Sequence, residues 1–240
     1  MNSLPQKLVS LHAQEEKVRD LSEQHLSENA KLILHLQIAE DAMDLLDLLR
    51  QYEDADDEDI RTVRHLGLRM FNAQGAAIKL AMSGYFQNAA LVMRDLLETV
   101  FLVDLFSTDK DSIKRWREAD TSKKREEFRP INIRKALDER DGFTTEKRAE
   151  MYRMFSKLAG HPTVEGFAML RPAGMDAQGG PFFDPTALIA TLAELGRLAV
   201  QVGETALRYL PEDYEKATPA REKFGISRDA WVDTFYRDKN

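Results

Sequence analysis

The sequence predicts an all-α protein: an up-and-down multi-helix bundle with long N-terminal helical arms and one long Gly/Pro-rich loop or small hairpin. Three observations predict it. No proline occurs between Pro5 and Pro130, a run of 124 residues, and proline breaks helix interiors. Apolar residues recur through that run at three- and four-residue spacing, as helical faces require. Few of its interior positions read as strand. With 43% hydrophobic and 31% charged residues, the 240-residue chain has the composition of a folded, well-solvated protein.

The elements follow in order. An opening helix runs from about Pro5, with Leu4, Leu8, Leu11, Val18 and Leu21 as its stripe. A second, about Ser27 to Tyr52, carries Leu32, Leu36, Met43 and Leu46 on one face. These arms, residues 1–56, should pack either into a dimer interface or back onto the bundle. The acidic run Glu53, Asp54, Asp56, Asp57, Glu58, Asp59 then marks a helix start, where carboxylates meet the positive end of the helix dipole.

A bundle over residues 57–210 comes next. Its first helix, about Asp57 to Met82, is rich in small residues and ends at Ser83-Gly84. The following helix, Tyr85 to about Phe106, is apolar nearly all round from Thr99 except at Asp104, the pattern of a buried helix. Three more are expected at about Asp109–Glu127, Ile131–Glu139 and Thr144–Ala159. Thr144 is the N-cap candidate of the last, and Gly160 can supply its left-handed C-terminal residue. Residues 160–185 hold five Gly and four Pro and read as a long loop, with a short hairpin through Val164–Arg171. A long helix from Pro185 to about Leu210 closes the bundle. A polar tail, 211–240, ends in a short helix from Ser227 that bears Trp231 and Phe235.

Composition narrows the function. The chain has no cysteine, which removes disulfides, thiol nucleophiles and cysteine-based zinc sites. The N-terminal residues contain no apolar run of signal-peptide length, and Arg94, Asp95, Glu98 and Asp104 interrupt the most apolar stretch. A soluble, cytoplasmic protein with no membrane partner is expected. The net charge of −7 argues against a dedicated nucleic-acid binder. The charge is uneven, however: Lys110 to Lys157 holds 15 basic and 10 acidic residues, a local +5 on a body of −12. Solvated helix faces or a basic patch both fit that pattern.

No glycine-rich phosphate loop, nucleophile elbow or H-E-x-x-H motif is present. No metal site and no cofactor are expected, and His12, His25, His35 and His65 read as surface or packed histidines. Two constellations remain. Arg94 and Glu98 lie about 40° apart on a helical wheel, with Gln87 about 20° from Arg94, a narrow polar strip on a greasy helix. The strip either pins two helices together or belongs to a site. In YRMFSKLAGHP, Tyr152, Arg153, Ser156 and His161 stand at a helix end ahead of the long loop. His161 suits acid–base work or phosphate contact, or else it bonds loose carbonyls at the helix terminus.

AALVMRDLLETVFLVDLF, YRMFSKLAGHP and a GGPFFD turn into another helix together resemble the HEPN-like helical bundles, in particular a bacterial branch of that superfamily. The resemblance spans about Ile60 to Leu210. It implies an up-and-down bundle, usually a homodimer, acting in bacterial stress or phage defence. Active members are metal-independent ribonucleases in which a His works on the ribose 2′-hydroxyl and an Arg steadies phosphate charge. Their motif is Arg, about four to six residues, then His. Here seven residues separate Arg153 from His161, and Met154 stands where a polar residue is usual. The resemblance therefore implies His161 and Arg153 as catalytic, with Arg94 as the alternative arginine, and Glu98, Tyr152 and Ser156 as binding residues. The expected function is an RNA-, nucleotide- or protein-binding module. A ribonuclease using His161 and an arginine, or a dimeric scaffold without a small-molecule site, are the alternatives.

Overall fold

The computed structural model describes residues 5–52, 57–172 and 174–237. Leu4 of the opening stripe and Glu53, Asp54 and Asp56 of the acidic run lie outside the described residues. Among the described residues the chain forms ten α-helices and no strand, an all-α bundle. They are α1 (Gln6–Ser27), α2 (Ala30–Gln51), α3 (Glu58–Met82), α4 (Phe86–Thr108) and α5 (Asp111–Glu118), then α6 (Thr121–Glu127), α7 (Pro130–Arg140), α8 (Lys147–Phe155), α9 (Pro185–Leu207) and α10 (Thr218–Phe235).

Local chemistry places the boundaries. The Asp57 carboxylate accepts the backbone N–H groups of Asp59 and Ile60 at 2.7 and 3.0 Å, so the described part of the acidic run is the N-cap of α3. Gly84 ends that helix region with φ +80°, and a Cβ there would stand 2.2 Å from the Phe182 carbonyl oxygen. Only glycine serves both needs. At α9, Asp184 accepts the N–H of Ala187 at 3.0 Å and Pro185 fills the first turn.

The centre is made by α2, α3, α4 and α9, with α2 packed on α9 and α3 on α4. Ile38, Ala39, Ala42, Leu45 and Leu49 of α2 are fully buried, so this helix, read from the sequence as an arm, is a core element. Leu32 and Leu46 of its stripe are buried with it, against the bundle. Only α1 lies on the surface as an arm, fixed by Ser22 Oγ donating to the Met82 carbonyl and Tyr85 Oη donating to Glu15, at 2.9 and 2.8 Å. Facing the core, α9 is the one described helix long and apolar enough to cross a membrane. Its Leu188, Leu192, Leu195, Leu198 and Val202 are fully buried within the bundle.

Five further expectations are corrected. The helix expected over 109–127 is two helices, because Asp120 turns its carboxylate to the N–H of Lys123 at 2.8 Å and caps a new start. The segment expected as a hairpin, Val164–Arg171, is instead a 3₁₀ helix over Glu165–Leu170, started by Thr163 Oγ1 accepting the N–H of Gly166 at 2.9 Å. Thr144 caps nothing, since α8 begins at Lys147, and Gly160 is not left-handed but closes a π-helical turn over Ser156–Gly160. The last helix starts at Thr218 rather than Ser227, because Pro219 sits in its first turn, where a missing N–H costs nothing.

Candidate functional site

The polar strip of α4 faces α8 and the turn that follows it. Gln87 Nε2 donates to the carbonyls of Leu158 and Gly166 at 3.3 and 3.2 Å, holding the π-turn and the 3₁₀ helix together. One helical turn and more along, Arg94 Nη2 donates to Tyr152 Oη at 2.6 Å and pairs with Glu98 at 3.2 Å. The two side chains are 21% and 34% exposed, so the pair is neither a free surface pair nor a dry one. Gly160 lets the turn come close: a Cβ would stand 2.7 Å from Arg94 Nη1 and the guanidinium would have to give way. The turn carrying Gly160 therefore rests directly on the guanidinium.

A second guanidinium reaches the same ring. Arg134 of α7 places its Cζ 4.0 Å from the Tyr152 ring centroid, and Arg94 places its own at 5.0 Å. Such cation–π contacts contribute about 0.5–2 kcal/mol each, more as they are desolvated. Arg134 is only 8% exposed, and burial pulls its pKa down, partly countered by Tyr152 and Glu98. It stays protonated, as arginines do in proteins. Among the described residues its Nε and Nη1 nevertheless have no hydrogen-bond partner, and neither do Arg94 Nε and Ser156 Oγ. Four buried polar atoms without partners thus belong to three side chains, two gathered on the Tyr152 ring and one a helical turn beyond it.

Beside the cluster is a cavity of about 300 Å³ between α3, α4, α5 and α7. Leu66, Thr99, Leu102, Trp116, Phe128 and Ile133 give it apolar and aromatic walls, and Arg134 with Glu98 lies on its polar side. Arg69, also on the wall, is tied to Asp95.

Of the site residues expected from the sequence, Arg94, Glu98 and Tyr152 meet, and Ser156 follows Tyr152 by one turn. Arg153 does not join them: it pairs with Glu146 at 2.8 Å on the surface. His161 is exposed, and its ring makes no hydrogen bond with the described residues. Arg134 was missed. Its signal is position, since Ile133, Arg134 and Leu137 are the buried residues of α7, and an arginine on the apolar stripe of a short helix needs a reason.

The basic stretch is partly neutralised. Arg115 binds Asp109 and Glu127, Arg140 binds Asp104, and Arg148 binds Asp138. Lys123, Arg125 and Arg129 make no ion pair with the described residues, and Lys124 lies over the Trp116 ring at 4.6 Å. Cations without an ion pair to the described residues are spread from α5 to α8, and Lys123, Arg125 and Arg129 are those at the α6–α7 corner, where Asp120 and Glu126 also stand. Among the described residues no group of three or more acidic or histidine side chains is placed to hold a metal ion. No family model, no curated protein and no solved structure matches this chain.

Proposed function

We propose that this chain is a HEPN-like helical bundle acting as a binding module for the phosphate of a nucleotide, free or within RNA, at the Arg94–Tyr152–Arg134 cluster. One observation carries the reading: the Arg134 guanidinium, buried and stacked on Tyr152, leaves Nε and Nη1 without partners. A buried charge that lacks hydrogen bonds is costly. Both nitrogens are closed off from solvent in this conformation, so an oxyanion would reach them only as the cluster opens, and guanidinium forks then match phosphate oxygens two at a time. Lys123, Arg125 and Arg129, which make no ion pair with the described residues, supply attraction for a longer phosphate chain.

Chemistry is not part of this reading. Arg153 is committed to Glu146, and the His161 ring is exposed and bonded to no described residue. The test is fluorescence anisotropy with a labelled single-stranded RNA of about ten nucleotides. Binding should weaken markedly between 50 and 200 mM salt, the mark of released counterions, and Arg134→Met should weaken it at least tenfold. Absence of binding at low salt, or full affinity in Arg134→Met, overturns the reading.

A further inference from the structure

We infer that residues 156–170, the π-turn and the 3₁₀ helix, form a lid that is closed over the Arg94 side of the cluster and opens without unfolding the bundle. That its opening admits an oxyanion rests on the phosphate reading above; that it opens does not.

The segment is held together more firmly than it is held down. Within it, Thr163 Oγ1 donates to the Lys157 carbonyl and accepts the Gly166 N–H, and Lys157 pairs with Glu165 at 3.1 Å. These bonds make the turn and the 3₁₀ helix one unit. Among the described residues, its hydrogen bonds to α4 both come from one amide, Gln87 Nε2, on the carbonyls of Leu158 and Gly166. Packing adds little. Gly166 alone is buried among these described residues, while Val164 and Phe167 are 78% and 56% exposed. Segments with so few buried apolar contacts are those that open locally.

Closure also has a cost. A Cβ on Gly160 would stand 2.7, 3.2 and 3.3 Å from Nη1, Cζ and Cδ of Arg94, so the turn covers the stretch of that side chain that holds Nε. This Nε, like Ser156 Oγ at the root of the lid, is sealed from water with no partner among the described residues. Such groups regain hydrogen bonds when water or a ligand reaches them, which offsets part of what Gln87 contributes to the closed form. The hinge lies where the helix changes type. Phe155, 1% exposed, anchors the end of α8 in the core, and π geometry begins at the next residue. At the far end the backbone is extended at Arg171.

The chain has no cysteine, so one introduced thiol reports on one place. Ser156→Cys puts sulfur where Oγ is sealed, Val164→Cys puts it on the outer face of the lid, and Ala199→Cys puts it in the core. Towards neutral iodoacetamide, read by intact mass, Val164→Cys should react freely. Ser156→Cys should react more slowly than that, yet about 100-fold or more faster than Ala199→Cys, which waits for global unfolding. Gln87→Leu should speed the Ser156→Cys reaction about fivefold or more, since two hydrogen bonds are lost. Hydrogen exchange of the unaltered chain carries the test where a variant fails to fold: the amides of 156–170 should exchange well before those of α4 and α9. Ser156→Cys as slow as Ala199→Cys, as fast as Val164→Cys, or indifferent to Gln87→Leu overturns the lid, as does equal exchange. Gln87→Leu should also speed association of the labelled single-stranded RNA in stopped-flow anisotropy. Faster opening with unchanged association overturns the lid as a gate, whereas no RNA binding at all overturns the phosphate reading and leaves the lid standing.

Discussion

Trp231 donates its indole N–H to Nδ1 of His35 across 2.8 Å, with both side chains buried. The indole can only donate, so Nδ1 must accept, and the ring is neutral with its proton on Nε2. Phe235 stacks on the same imidazole at 4.3 Å. The contact latches α10 to α2, helped by Lys223 on the buried Asp41 carboxylate at 2.7 Å.

That latch should be sensitive to acid. Burial, with Arg197 nearby, pushes the His35 pKa down from 6.5 to about 4. The unfolded chain takes up this proton near pH 6.5 while the folded one resists until about pH 4. The stability due to neutral His35 is therefore complete above pH 6.5 and is lost as pH falls towards 4, on the order of 3 kcal/mol. Thermal melts at pH 7.5 and 4.5 should show the drop, and His35→Phe should flatten it. An unchanged slope in that variant would assign the acid loss to other groups.

Arg94→Ala should cost about 1–2 kcal/mol. The Arg94–Glu98 pair is partly wet, which limits its worth, yet the same guanidinium bonds Tyr152 at 2.6 Å and supports Gly160. Urea unfolding measures it. A cost below about 0.5 kcal/mol would mean that Tyr152 and Glu98 find water as readily as they found arginine.

How much of this could be read from the sequence depends on what each residue needed. The strip Gln87, Arg94, Glu98 was legible, because three polar residues within a narrow arc of a greasy helix must meet something: Gln87 and Arg94 meet the turn after α8 and α8 itself, and Glu98 pairs with Arg94. The 3₁₀ helix was not, because a single hydroxyl, Thr163 Oγ1, decides between it and a hairpin. Arg153 and Arg134 exchanged roles for a similar reason. Both lie in charge-rich short helices, and only tertiary packing tells that Arg134 points under Tyr152 while Arg153 turns to Glu146. The α2 stripe was visible, but whether it met the bundle or a second chain was a question of partners, which periodicity does not answer.

Gly160→Ala tests how tightly the π-turn sits on the cluster. The added methyl group would stand 2.7 Å from Arg94 Nη1 and 3.2 Å from its Cζ, so the guanidinium must shift. Because the atom it meets is the far end of a flexible side chain, the cost should stay at the low end of overpacking, about 1 kcal/mol. The same shift should weaken RNA binding several-fold, whereas Gly179→Ala, where a Cβ meets nothing within 4 Å, should change neither. Equal behaviour of the two variants would mean that the turn yields freely.

A second use of His161 is open to direct measurement. His161 follows Gly160, which rests on Arg94, so an RNA strand bound at the cluster would pass close to its imidazole. The binding-module reading expects no cleavage of single-stranded RNA, with or without chelator. Chelator-resistant cleavage that falls about 100-fold or more in a folded His161→Ala protein would convert the module into a ribonuclease.

Arg134→Met sets stability against binding at one position. If Arg134 served only to join α7 to α8, its loss should destabilise the fold like any other broken contact. As a ligand-binding cation with two buried nitrogens unpartnered, it instead carries a desolvation cost that the empty protein does not recover. Methionine keeps much of the volume, keeps contact with the Tyr152 ring and brings no charge. The variant should therefore be as stable as the unaltered protein, or up to about 1 kcal/mol more stable, while losing at least tenfold in affinity for RNA. Urea unfolding and anisotropy on the same preparation give both numbers. A variant that is clearly less stable but binds RNA as before would make Arg134 a structural pin and leave its bare nitrogens to ordered water.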